Sequence, residues 1–148
     1  MAFKVFKQTG ARTKEYISVT DNKAFGLPRT FLNKQGITNK HKAVLLYDED
    51  ERKIALHFTL ADPQFGIRVR IPNDKQGGVV FARTFFDLNS IDAVKYSGRY
   101  ADFQKMPLRD LGVDKAGDAY VITLREKHSQ NIKNNQIVEE QEKNEADF

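Results

Sequence analysis

The chain carries one signal twice. Asp21-Asn22-Lys23-Ala24-Phe25-Gly26-Leu27-Pro28-Arg29-Thr30-Phe31-Leu32, followed by Gly36-Ile37, is echoed by Asp74-Lys75-Gln76-Gly77-Gly78-Val79-Val80-Phe81-Ala82-Arg83-Thr84-Phe85-Phe86, followed by Ser90-Ile91. Arg-Thr-Phe recurs intact, and an isoleucine follows each arginine at a spacing of eight. The Asp-to-Arg spacing is eight in the first copy and nine in the second. A unit of about 45 residues has too little interior to stand alone, so two such units must share one apolar centre.

Each copy has the same local order. A strand comes first, Tyr16–Thr20 in one and Ile67–Ile71 in the other. The second alternates cleanly, with Ile67, Val69 and Ile71 on one face and Arg68 and Arg70 on the other. A polar turn follows, Asp21-Asn22-Lys23 or Asn73 to Gly78, in residues that tolerate left-handed backbone. A short apolar strand returns at Phe25–Leu27 or Val79–Phe81. A short helix comes next. Pro28 suits its first position and Gly36 its left-handed end, and the second helix is expected from Arg83 to Asn89.

A hairpin closes each copy. The first is expected from Ala43–Tyr47 and Lys53–Thr59 around an acidic turn, Asp48 to Arg52. The second pairs Lys95–Phe103 with Asp118–Arg125, across a connector whose Leu108, Leu111 and Val113 suggest a helical turn. The expected architecture is mixed β with short helices (α+β), one domain over residues 1–128. Its two repeats cover about 15–60 and 66–126. Residues 129–148, rich in Asn, Gln, Lys and Glu, are expected to be a disordered acidic tail.

The first copy resembles the swapped-hairpin unit of AbrB-type transition-state regulators. Leu27-Pro28-Arg29-Thr30-Phe31, Gly36-Ile37 and the hairpin over Ala43–Phe58 match that pattern in order and approximate spacing. Two units in one chain look like the arrangement of MraZ-like regulators. The resemblance implies two strand–turn–helix–hairpin repeats forming an intramolecular pseudo-dimeric β-barrel that binds DNA. The chain departs from the family at Ala82, which replaces the proline. It departs again at Phe25 and Gly78, which stand where the family usually places a DNA-contacting arginine.

Charge points the same way. The net charge is +4, with 24 Lys and Arg against 20 Asp and Glu. Residues 129–148 hold two lysines, four glutamates and one aspartate, a net of −3, which leaves +7 on the preceding 128 residues. A basic body suits a polyanion, and a twofold-like display of cations suits a duplex. The candidate nucleic-acid contacts are Lys23, Arg29 and Lys34 around the first turn and helix, with Lys75 and Arg83 at related places in the second copy. Arg68 and Arg70 share one strand face. Lys4, Lys7, Arg12 and Lys14, with Phe3 and Phe6 interleaved, form an acid-free arm that is also strand-like at residues 3–7. Arg99 lies in the run Tyr96-Ser97-Gly98-Arg99-Tyr100, which reads either as a stacking surface for a single strand or as strand residues packed at a bend. Arg29 and Arg83 also admit a structural reading, paired with carboxylates such as Asp21 and Asp74 or capping a turn.

No catalytic constellation is visible. There is no cysteine, and His41, His57 and His128 are scattered, without ligand spacing, and read as exposed. There is no Walker-type glycine loop and no nucleophile elbow, and the Asp48–Glu51 run reads as a solvated turn. The expectation is a cytoplasmic, cofactor-free, non-enzymatic DNA-binding protein, without membrane contact and open to homo-oligomerisation. The rivals are an antitoxin-like adaptor whose acidic tail docks on a protein partner, and a binder of single-stranded DNA or RNA.

Overall fold

The computed structural model describes residues 15–61 and 63–126. It is mostly β-sheet with two short α-helices, an α+β architecture. In chain order the elements are β1 (Ile17–Thr20), β2 (Ala24–Leu27), α1 (Arg29–Gln35), β3 (Lys42–Asp48), β4 (Lys53–Thr59), β5 (Ile67–Arg68), β6 (Gly78–Phe81), α2 (Arg83–Leu88), β7 (Gly98–Tyr100), β8 (Gln104–Pro107), a 3-10 turn (Leu108–Leu111) and β9 (Asp118–Thr123). The strands form a four-stranded sheet, β6-β2-β1-β7, and a five-stranded sheet, β5-β3-β4-β9-β8. Neither sheet closes on itself.

The pairing exchanges strands between the two halves of the sequence. β1 opens the first half but pairs with β7 from the second, Ile17 opposite Tyr100. β5 opens the second half but pairs with β3 from the first, Ala43 opposite Ile67. β2 and β6, the strands that follow the two turns, pair antiparallel with Phe25 opposite Val80. The closing strands β4 and β9 also pair, with Leu56 opposite Tyr120. The two sheets meet along the segment that begins with β5. Ile67 and Arg68 belong to one ladder, Val69 donates its N–H to the His41 carbonyl at 3.2 Å, and Arg70 exchanges two 2.9 Å hydrogen bonds with Val79 of the other sheet. Thus the alternation read from Ile67 to Ile71 holds for the side chains, with Val69 buried and Arg68 and Arg70 exposed, while the continuous strand is only two residues long.

The helices share two equivalent hydrogen bonds. Leu32 N–H donates to Pro28 and Ile37 N–H to Leu32 in the first half. Phe86 N–H donates to Ala82 and Ile91 N–H to Phe86 in the second. Leu32, Ile37, Phe86 and Ile91 are all buried. Gly36 caps α1 with φ 68°, a conformation that costs glycine nothing. Asn89 ends α2 at φ −96°, and the left-handed residue there is Ser90 (φ 53°), at the place Gly36 holds after α1; Pro28 stands just before α1 rather than at its first position.

The core lies where these elements converge. Phe31 from α1 meets Phe103 at 5.4 Å, Tyr120 of β9 at 5.0 Å and Phe58 of β4 at 6.3 Å between ring centroids. Phe25 of β2 stacks on Phe86 of α2 at 5.3 Å. A second, smaller cluster sits on the outer side of β4 and β9, where Ala55, Ala119 and Val121 are buried with Leu108 of the 3-10 turn. The helical turn expected around Leu108, Leu111 and Val113 therefore forms and covers the second face of the sheet.

The second hairpin differs from expectation. Lys95–Phe103 does not form one strand against Asp118–Arg125. Lys95 lies in a turn, because the Asp92 carboxylate accepts the N–H groups of Val94 and Lys95 at 3.1 Å each. Gly98–Tyr100 then pairs with β1, and only Gln104–Pro107 reaches β9.

A candidate nucleic-acid interface

The candidate cations fall into separate groups. Lys4, Lys7, Arg12 and Lys14, with Phe3 and Phe6, lie outside the described residues, as do the 129–148 tail and His128. Lys23 and Arg83 meet at one end of the β2–β6 pair. Lys23 takes a left-handed φ of 64°, its carbonyl accepts the Ala82 N–H at 3.0 Å, and its ammonium pairs with Asp87 of α2. Arg83 shares that carboxylate at 3.9 Å and is otherwise exposed. One aspartate thus partly neutralises both cations.

Arg29 is a brace at the other end. Its guanidinium donates to the carbonyls of Gln76, at 2.8 Å, and Asn73, and reaches Asn33 Oδ1 at 3.4 Å. The Asn73 side chain accepts the N–H groups of Lys75 and Gln76 at 2.9 Å each. Gly77 lies so close to Leu27 that an added Cβ would stand 2.4 Å from its carbonyl oxygen. The structural role read for Arg29 and Arg83 therefore holds, but their partners are backbone carbonyls and Asp87, and not Asp21 or Asp74. The arrangement is only partly reciprocal: Arg29, which opens α1, holds the 73–77 turn, whereas the 21–23 turn is held by the Ala82 N–H and Asp87 and not by Arg83.

Among the candidate cations, Arg68, Arg70, Lys75 and Arg99 are exposed with no carboxylate partner among the described residues, and so, outside that set, are Lys40, Arg52, Lys105, Arg109 and Lys115. Arg68 and Arg70 line an open groove of about 560 Å³ with Asn39, Pro72 and Val79. Arg70 lies over the half-exposed ring of Phe81 at 5.5 Å, which orients it without quenching its charge. Lys75 rides on the turn that Arg29 holds. Lys42 pairs across from Arg68, and Lys40 stands exposed nearby in sequence. The opposite end of the β3–β4 hairpin carries the exposed run Asp48, Glu49, Asp50 and Glu51. A seven-residue strand separates the two ends by roughly 20 Å, so the hairpin is electrically polar.

The other candidates lie elsewhere. Lys34 pairs with Glu15 at 3.2 Å, and Arg99 stacks over Tyr16 at 4.7 Å on β7. Tyr96 and Tyr100, offered as a stacking surface, are buried. The Tyr100 hydroxyl donates to the Tyr96 carbonyl at 2.7 Å, so these rings pack at a bend. His41 and His57 are half-buried, not exposed. His41 Nδ1 accepts the Thr38 N–H at 3.0 Å, and His57 Nδ1 lies 2.8 Å from the Asp118 carbonyl. The Asp48 carboxylate accepts the N–H groups of Asp50 and Glu51, as a solvated turn requires. Among the described residues no cluster of His, Asp and Glu is arranged to hold a metal, and no helix is long and apolar enough to cross a membrane.

Sequence reasoning allowed Arg29 to cap a turn but did not identify which one, and it missed the groove lined by Asn39, Arg68, Arg70, Pro72 and Val79. Neither leaves a local signal, since each depends on strands exchanged between distant segments. No protein-family model, curated protein or solved structure matches the chain.

Proposed function

We propose that this chain is a non-enzymatic duplex-DNA-binding protein of the transcriptional-regulator or nucleoid-factor kind, built as an AbrB-like pair of swapped halves. The observation that carries the reading is the groove flanked by Arg68 and Arg70, with Lys75 exposed on the turn that follows, three cations that have no carboxylate partner among the described residues, while the acidic turn stands at the far end of the hairpin. Cations left unneutralised on one side of a polar body attract a polyanion and orient it.

The exchange of strands between halves supports the pseudo-dimeric part of the proposal. With β1 on β7, β5 on β3, β2 on β6 and β4 on β9, each half completes the other's sheets. The Arg70–Val79 bridge joins the two sheets at one seam, and residues 101–103 carry the chain from one sheet to the other, which supports the barrel reading although neither sheet closes. Arg29 acts as a positioning residue for the Lys75 turn, and Lys23 and Arg83 form a weaker, partly neutralised counterpart.

Fluorescence anisotropy of a labelled random duplex, at about 50 mM and about 200 mM salt, tests the reading, since a binder making several phosphate contacts loses orders of magnitude in affinity over that range. Absence of binding at the lower salt would reject it. Competition with single strands separates it from the single-strand reading, for which Tyr96 and Tyr100 are unavailable as stacking faces.

A further inference from the structure

A second cavity, remote in character from the basic groove, lies on the outer side of the β3–β4 hairpin beneath the segment that follows the 3-10 turn. It encloses about 260 Å³. Leu46, Leu108 and Val113 form apolar walls, and His57, Thr59 and Lys115 are its polar lining. This composition, apolar walls with a few convergent polar groups, is that of a small-molecule site.

The polar groups are preset for one kind of ligand. The Asp118 carbonyl can only accept, so His57 Nδ1, 2.8 Å away, carries the hydrogen and holds the ring in place. Nε2 is then left as the ring's acceptor. The Thr59 hydroxyl oxygen accepts the Ala61 N–H at 3.1 Å, which leaves its hydrogen to donate. Lys115 has no carboxylate partner among the described residues. None of the described lining residues is an acid. Gly117 guards the arrangement. Its φ is 111°, and a Cβ there would stand 2.8 Å from His57 Cε1, so a side chain would push the ring from its place.

We propose that this cavity binds a small carboxylic acid with a short aliphatic tail. The tail occupies the space beside Leu46, Leu108 and Val113, and the carboxylate faces the Thr59 hydroxyl and Lys115, with the His57 ring as a fixed wall. The site is independent of the nucleic-acid reading and stands or falls without it.

Hexanoate is the probe. An NMR titration of the full chain follows the methyls of Leu46, Leu108 and Val113 and the His57 ring, with 1-hexanol and hexylammonium in parallel. For a ligand of this size the dissociation constant is expected on the order of a millimolar. Hexanoate should give saturable shifts at these groups, hexanol should bind about tenfold more weakly, and hexylammonium should not bind, as the loss of charge-assisted hydrogen bonds dictates. Val113→Trp fills the cavity and should abolish the shifts. Lys115→Met changes only an exposed side chain, so it keeps the fold if Val113→Trp does not. It should weaken hexanoate about tenfold and leave hexanol unchanged. Equal affinity for hexanoate and hexanol, no effect of Lys115→Met, or shifts that never saturate would each overturn the proposal.

Discussion

Tyr100→Phe separates two accounts of the aromatic run at residues 96–100. If Tyr100 served as a stacking face, the phenylalanine ring would serve as well and the protein would be unchanged. The structure gives its hydroxyl a different task. Tyr100 is fully buried, and its hydroxyl donates to the Tyr96 carbonyl at 2.7 Å and accepts the Arg125 N–H at 3.2 Å. It thereby ties β7 to the residues just beyond β9. Removing it leaves a buried carbonyl without this donor, at a cost of about 1–3 kcal/mol, and weakens a second contact nearer the surface by about 0.5–1.5 kcal/mol. The expected loss is about 2–3 kcal/mol. For an ordered body of this size that corresponds to a melting temperature lower by roughly 10 °C. Urea unfolding followed by far-UV circular dichroism measures it directly, with Tyr16→Phe, at a half-buried ring under Arg99, as the control that should change little. A Tyr100→Phe protein within about 0.5 kcal/mol of the parent would refute the reasoning, because that is the range of substitutions that disturb nothing.

Three further outcomes follow from the packing and the charges. Phe31→Ala removes the ring shared by α1, β4 and β9 and should cost about 3–5 kcal/mol in the same unfolding assay. Burial pushes the Tyr120 hydroxyl up to about 12 from an ordinary 10, so the folded protein keeps its proton where the unfolded chain has lost it. The stability from this group is complete below pH 10 and disappears as pH rises through 12, and Tyr120→Phe should flatten the fall in urea midpoint across that window. Arg29→Ala should speed hydrogen exchange at the Lys75 and Gln76 amides and leave the α2 amides of Phe86 and Asn89 protected, since the turn at 73–77 loses its brace while α2 does not.

Much of this was legible in the residues. Alternation located β4 and the inward face of β5, and Pro28 and Gly36 marked the ends of α1 to within a residue. Two short helices were expected and two form. The exchange of strands is a matter of partner choice. A short strand such as Gly98–Tyr100, with Tyr100 buried and Arg99 exposed, says nothing of which ladder it joins. Its turn was hidden for the same reason, because the Asp92 side chain that stops the strand acts two and three residues away. The outer cluster did leave a trace. Ala119-Tyr120-Val121-Ile122 is apolar without interruption, which signals burial on both faces of β9 and so a cover such as Leu108. The candidate interface was half legible. Arg68 and Arg70 were placed on one face by period-two spacing, whereas the role of Arg29 depends on a turn 44 residues further on.

The salt dependence of duplex binding in an Arg68→Ala, Arg70→Ala, Lys75→Ala protein, compared with the parent, goes to the heart of the proposal. Each phosphate-neutralising cation contributes about 0.9 to the slope of log affinity against log salt, so the triple variant should bind more weakly with a slope shallower by about 2.7. Lys53→Ala, at the acidic end of the hairpin, should leave the slope unchanged. An equal slope for parent and triple variant would place the contact surface elsewhere and contradict the account.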